Sequence, residues 1–161
     1  MWGRLTVAER RARRVLLWLI LTEGRDPGLK AIASRLEVSE STAAKLLSAL
    51  ERKGFLVRDR HSTTITAAYP LSTRATPHRV MLIGGGQQGY GLCAIDALGV
   101  GPAFRDAAII TANCPHCGRS IAVHVEENQV VAVEPRGTVV WYSLPELLTK
   151  RAPTLNLAEA H

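Results

Sequence analysis

No stretch of this chain is long and apolar enough to cross a bilayer. The longest apolar run, Val15 to Leu21, has seven residues, where a spanning helix needs about 20. Arginines precede that run, but no small-residue cleavage site follows it and its periodicity continues, so a secretory leader is not expected. Cysteine is also scarce. The three present are an odd number, which argues against a secreted disulfide framework and for free thiols in a reducing cytoplasm. The glycine-rich segment Gly84 to Gly89 lacks the Gly-Lys-Ser/Thr ending of a phosphate-binding loop, and no dinucleotide fingerprint fits it. It reads as a hairpin turn. No Ser/His/Asp arrangement suggests hydrolysis: His61 falls in a polar turn, His161 is terminal, His78 begins a strand, and His124 alternates within another as ligand or surface residue.

Acidic residues are under-represented in one part of the chain only. Residues 1–60 hold 13 Lys/Arg against 7 Asp/Glu, whereas residues 61–161 hold 7 of each. At 161 residues and 47% hydrophobic, the chain has room for one ordinary domain or two small ones. The charge asymmetry divides it into a basic module, 1–68, and a neutral one, 69–161.

The basic module reads as three helices and a wing. Apolar positions Val15, Leu16, Leu19 and Ile20 predict a helix over Val7 to Thr22, with Arg10, Arg11, Arg13 and Arg14 in its first turns. Gly24-Arg-Asp-Pro-Gly28 breaks that pattern. A second helix is expected over Leu29 to Leu36. Ser39 reads as the N-cap of a third, Glu40 to Lys53, which Gly54 closes. Phe55 to Arg58 and Thr63 to Thr66 then alternate around a polar turn, as the strands of a wing would. This is the pattern of a winged helix-turn-helix. Its third helix would present Ser41, Thr42, Lys45 and Ser48 to DNA, with Arg58, Arg60 and His61 on the wing against the backbone. The alternative is a folded cap that touches no nucleic acid.

Tyr69 to Pro77, bracketed by prolines, reads as a linker. Beyond it a strand is expected over His78 to Ile83 and a helix over Tyr90 to Val100. Short strands follow at Ala107–Thr111, Ser120–Val125, Gln129–Val133 and Val139–Tyr142, and within Pro145 to His161 one short helix is expected over Glu146 to Lys150. The fold class is therefore α+β: a winged helix-turn-helix followed by a small mixed domain with antiparallel strands.

Cys93 and Asp96 stand three residues apart, so on a helix they share a face. A carboxylate beside a thiol raises the thiol's pKa, which a purely structural site has no need for. The pairing makes chemical sense if the carboxylate takes the thiol proton when a soft metal displaces it and then delivers a proton elsewhere. On spacing alone, Cys93 as a small buried hydrophobe remains the alternative. Cys114-Pro-His-Cys-Gly118 has the form of one zinc-ribbon knuckle, but no second such pair exists to complete a tetrahedral site. Structural zinc at Cys114 and Cys117, a thiol pair that captures a soft metal, a redox pair and a plain β-turn all stay open. Cys93, His78, His116, His124 or a second copy are the candidates to complete a zinc site.

The residues His78-Arg-Val80, Tyr90-Gly-Leu-Cys-Ala-Ile-Asp-Ala-Leu-Gly99, Asn113-Cys-Pro-His-Cys-Gly118, Val133-Glu-Pro135 and Val139-Val-Trp141 together resemble the organomercurial (alkylmercury) lyase family. The Cys-Ala-Ile-Asp core is its most specific part. The resemblance implies that Cys93 binds mercury and that Asp96 assists the proton transfer that breaks a carbon–mercury bond. Mercury would be substrate or ligand, and no organic cofactor is implied. It also implies a winged-helix-like N-terminal region. The family uses a second catalytic cysteine further along the chain, where the corresponding stretch here, Ala152 to His161, has none. Cys117, Cys114 or a low-molecular-weight thiol would have to stand in.

Three readings follow. One is a lyase-like protein acting on organomercurials. Another is a DNA-binding regulator, a homodimer if it reads two half-sites, whose second module senses a metal or a thiol-reactive ligand. The third is a lyase fold serving another small electrophile. No membrane partner is expected.

Overall fold

The computed structural model describes residues 4–140. The helix expected within Pro145 to His161, and Trp141 and Tyr142, lie outside these.

The basic module folds as its pattern predicts. Helix α1 spans Val7–Glu23, α2 Gly28–Leu36 and α3 Glu40–Arg52. Thr6 and Glu9 form a reciprocal capping box at the start of α1, satisfying two backbone donors that no helical carbonyl can reach. Gly24 ends α1 in the left-handed region at φ 68°. Ser39 caps α3 by accepting the Thr42 N–H at 3.2 Å. The wing is an antiparallel pair, β1 Leu56–Arg58 with β2 Ile65–Ala68. Glu9, only 6% exposed, receives Lys53 of the α3 C-terminus at 2.6 Å. That contact holds the Glu9 carboxyl below its ordinary value and ties α1 to the end of α3.

The segment expected to be a linker is instead part of the core. Tyr69, Leu71, Ser72 and Thr73 are buried, and β3, Leu71–Ser72, pairs with β2 on one side. On its other side β3 pairs with β5, Gln88–Gly91, the strand that leads to Cys93. Two strand residues between prolines are too few to leave a period in the sequence, which is why the strand was not visible there. Arg13 adds to the tie: its guanidinium donates to the Tyr69 carbonyl at 2.8 Å and lies 5.4 Å from the Phe55 ring.

The remaining elements are β4 Arg79–Leu82, α4 Ala94–Phe104, β6 Ala108–Asn113, β7 Ser120–Glu126 and β8 Gln129–Glu134. Val139 and Val140, expected in a strand, lie in irregular chain. The strands of the described residues form one eight-stranded sheet in the order β1-β2-β3-β5-β4-β6-β7-β8. The wing is thus one edge of the same sheet that carries the second module. The core is continuous as well, since Leu16, Ile20 and Leu50 of the helices cluster with Leu71, Val80, Ala97, Val100 and Ile110.

Both α1 and α4 lie on one face of this sheet, and two glycines of β5 let them approach. A Cβ on Gly89 would stand 2.9 Å from Leu21 of α1, and one on Gly91 would stand 2.6 Å from the Ala97 Cα of α4. Residues two apart on a strand share a face, so β5 is the seat for both helices. Trp18 of α1 meets Phe104 of α4 with ring centroids 6.5 Å apart. No helix among the described residues is long and apolar enough to cross a membrane.

Candidate functional site

Strands β5 and β6 both pair antiparallel with β4, which lies between them. They therefore run parallel to each other, and α4 is the crossover connecting them. Tyr90, Arg79 and Thr111 stand in one row across the three strands. Just beyond this row β5 gives way to α4. The carboxyl end of such a strand, facing the amino end of the following helix, is where open sheets bind ligands.

Cys93 sits at that junction, and here the structure corrects the expected helix from Tyr90 to Val100. Tyr90 and Gly91 belong to β5, and Cys93 is the N-cap of α4, with extended backbone (φ −141°, ψ 179°). The pair is brought together all the same, by capping rather than by a shared helical face. The Cys93 thiol donates to Asp96 Oδ2 at 3.2 Å, and the Asp96 N–H donates back to Cys93 Sγ at 3.4 Å. Cys93 thus caps the helix through its sulfur, in the place usual for serine or threonine, and Asp96 closes onto the thiol rather than onto the cap's backbone N–H.

Burial pushes the Cys93 thiol above its ordinary pKa, and the nearby Asp96 charge adds to this against the opposing N–H groups of Asp96 and Ile95. Burial likewise raises Asp96, with the thiol's hydrogen bond pulling the other way. The pair therefore rests with its proton on sulfur and with a carboxyl that accepts one more readily than a solvated aspartate does.

The local chain is firmly held. The Gly91 carbonyl accepts from the Thr76 hydroxyl at 2.6 Å, the Gly91 N–H reaches the His78 carbonyl at 2.9 Å, and the Leu92 N–H reaches the Pro70 carbonyl at 3.2 Å. Burial lowers the pKa of His78, so the imidazole beside this strand is held neutral. Thr76 was missed by sequence reading because it lay in the supposed linker. Ile95, next to the pair in sequence, is 50% exposed. Two surface depressions among the described residues lie elsewhere. One, of about 270 Å³, is lined by Arg79, Met81, Gln88, Ile109 and Thr111, and the other by residues of the α4–β6 turn and the β7–β8 turn.

Cys114 and Cys117 occupy the β6–β7 turn. The Cys114 N–H bonds the Arg119 carbonyl at 2.9 Å, the Gly118 N–H returns to the Cys114 carbonyl at 2.8 Å, and Gly118 is left-handed at φ 70°. Backbone N–H groups of Cys117 and His116, with the Cys117 thiol, hold the Cys114 thiol below its ordinary pKa. Cys114 follows the end of β6 as Cys93 follows the end of β5, so both face the same end of the sheet. All three thiols are free. Among the described residues no three His, Cys, Asp or Glu side chains converge as a metal set would require. In this arrangement none of His78, His116 and His124 stands with Cys114 and Cys117 as a set of three.

On the helix-turn-helix, Ser41, Thr42 and Lys45 are exposed along α3, while Ala43, Leu47 and Leu50 face inward. Ser41 and Thr42 also share hydrogen bonds with the capping Ser39 hydroxyl. Arg60 is exposed at the wing tip. Arg58 is placed differently from the outward position expected of it. Its guanidinium folds back onto α3, 3.5 Å from Glu51 and 3.3 Å from the Ser48 hydroxyl, and is not free to meet a phosphate in this arrangement.

A thiol–carboxyl pair at a strand–helix junction is joined through a common sheet to a winged helix-turn-helix in an α+β protein. Residues 71–154 match the family model described as alkylmercury lyase, and the chain belongs to that family. Residues 11–60 match the IclR helix-turn-helix domain. Among solved structures the chain is similar to the mercury-bound form of MerB2, at 20% identity and a TM-score of 0.58. That similarity covers 79% of this chain and 61% of that one, so the chain spans less than two thirds of the length of MerB2. No curated protein matches it.

Proposed function

We propose that this protein captures organomercurials on Cys93 and protonates the carbon–mercury bond with Asp96. The observation that carries the reading is the reciprocal contact between thiol and carboxyl at the α4 N-terminus, 3.2 and 3.4 Å. An organomercury thiolate, the neutral R–Hg–SR′, meets the Cys93 thiol. Sulfur forms the new bond to mercury, the Cys93 proton passes to the Asp96 carboxylate, and R′S⁻ leaves. The Asp96 carboxylic acid then gives that proton to the carbon. The electron pair of the carbon–mercury bond becomes the C–H bond, and Hg²⁺ remains on the Cys93 sulfur beside a carboxylate again. Low-molecular-weight thiols are the natural acceptors for the ion. A carboxyl raised by burial suits this role, because it holds a proton at a pH where a solvated aspartate would not.

Asp96→Asn separates the two halves of this scheme. Removing the carboxylate takes away a charge and an acceptor that both raise the Cys93 pKa, while the backbone N–H that lowers it stays. The pH midpoint of Cys93 alkylation, followed by peptide mass spectrometry, is expected to move down. Hydrocarbon release from an arylmercurial is expected to fall about 10²–10⁴-fold, the usual contribution of a general acid. A midpoint that rises, or a release rate that is unchanged, would remove Asp96 from the mechanism.

A second reading has its own support in the IclR helix-turn-helix match and the exposed Ser41, Thr42 and Lys45 of α3. In it the chain binds DNA, and the thiol pocket biases that binding. Phosphate contacts release counterions, so affinity should fall steeply with salt. Lys45→Ala is expected to weaken binding across sequences and to reduce the slope of log affinity against log salt by about one. Fluorescence anisotropy with a labelled duplex measures both, and an unchanged slope would take Lys45 out of the interface.

A further inference from the structure

We propose that the Cys114–Cys117 turn is a second thiolate site, which takes the inorganic mercury(II) ion off Cys93. The inference rests on the proposed lyase reading only for the source of the ion.

The turn is built to present two sulfurs together. Cys114 and Cys117 lie three residues apart on a turn closed by the Gly118 N–H on the Cys114 carbonyl and the Cys114 N–H on the Arg119 carbonyl, and Gly118 supplies the left-handed residue needed to leave it. The Cys117 residue is exposed and Cys114 half-buried, so a bound ion can be reached from solvent. Coordination number decides which ion suits it. A structural zinc ion needs four ligands, and no third His, Cys, Asp or Glu joins these two among the described residues. Mercury(II) is satisfied by two thiolates, and thiolates prefer such soft cations.

The sheet places donor and acceptor at the same end. Tyr90 and Thr111 pair with the two edges of Arg79, so their backbones are two strand spacings apart, about 10 Å. Cys93 and Cys114 each follow three residues beyond that row. The transfer balances as Cys93–S–Hg⁺ plus two thiols giving Cys93–SH, a neutral Hg(S-Cys114)(S-Cys117) and one proton. One Hg–S bond breaks, two form, and no redox change occurs.

The full chain carrying Cys93→Ser isolates the turn, since only two thiols remain. Titrated with HgCl₂ in the presence of a monothiol competitor, it is expected to bind one ion per chain. Both thiols should disappear from a colorimetric thiol assay as the sulfur-to-mercury absorption band grows. Adding Cys117→Ser should weaken retention against the competitor at least about 100-fold, because the remaining sulfur is then itself a monothiol. A Cys93→Ser protein that loses mercury to the monothiol, or one that retains it equally without Cys117, would overturn the proposal. So would half an ion per chain, which would mean that two copies share one. Because inorganic mercury is supplied directly, these outcomes do not depend on whether the wild-type chain cleaves carbon–mercury bonds.

Discussion

Cys93→Ser is expected to lower hydrocarbon release from an arylmercurial by about 10³-fold or more, down to the rate of the thiol-containing buffer. Serine can cap α4 as well as cysteine does, since an N-cap needs only a side-chain acceptor for the helical N–H. The fold should survive, and circular dichroism and thermal melting are expected to change little. What disappears is the soft ligand. A hydroxyl is a hard donor that does not displace a thiolate from mercury, so no organomercury reaches Asp96. The variant therefore separates capping, which the site shares with ordinary helix starts, from metal capture, which it does not. A variant that melts far below the wild type would mean that the sulfur has a structural task beyond the cap. One that still turns over would mean that capture happens elsewhere, with the Cys114–Cys117 turn as the next candidate.

The second large effect concerns a residue with no functional group. Gly91→Ala is expected to destabilise the protein by about 1–3 kcal/mol or more, which corresponds to a fall of several degrees in melting temperature for a chain of this size. The added Cβ would meet Ala97 Cα at 2.6 Å and Ala97 N and Cβ at 2.7 Å. These are backbone and near-backbone atoms, so no rotamer change can relieve the clash and α4 must move off the sheet. Since Cys93 and Asp96 form the first turn of that helix, the thiol–carboxyl contact should loosen with it and arylmercurial cleavage should fall as well. Gly99→Ala supplies the control within the same helix. A Cβ there meets nothing within 4 Å, and alanine is the better helix former by about 0.5–1 kcal/mol. It should leave the melting temperature unchanged or raise it. Equal losses from both substitutions would contradict the close packing at Gly91.

These two residues also show how far the sequence could be read. The helix-turn-helix was legible because its elements are long, their apolar positions recur at helical spacing, and Ser39, Gly24 and Gly54 mark the ends. The strands β4, β6, β7 and β8 were legible from alternation. The pair Cys93 and Asp96 was found from spacing and chemistry, with the right partners and the wrong local geometry. A helix through Tyr90 was expected because residues 90–100 are continuously apolar apart from Asp96, and such a run looks alike in a buried strand and a buried helix. The capping pattern, Cys-x-x-Asp, was the missed signal, hidden because cysteine is not a usual cap. The role of β3 was not legible at all. Its two residues join the wing to β5 through pairing with residues far along the chain, and long-range pairing leaves no local period. Arg58 was read as free because its charge is visible in the sequence while its partners Glu51 and Ser48 are set by the wing folding onto α3.

The continuous sheet gives the two proposed functions a common physical basis. Strand β5 ends at the thiol, pairs with β3, and β3 pairs with the wing strand β2. The Leu92 N–H on the Pro70 carbonyl adds a direct link between the Cys93 turn and the start of β3. The Cys93 turn and the wing are thus connected by backbone hydrogen bonds through a single intervening strand.

The measurement that bears most directly on the central claim is turnover of phenylmercuric acetate by the full chain with excess glutathione in D₂O, with Cys93→Ser as the blank. The Cys93–Asp96 mechanism predicts benzene carrying a single deuterium, released over many turnovers and absent from the blank. Stoichiometric capture of phenylmercury with no benzene, or benzene formed equally by the blank, would contradict it.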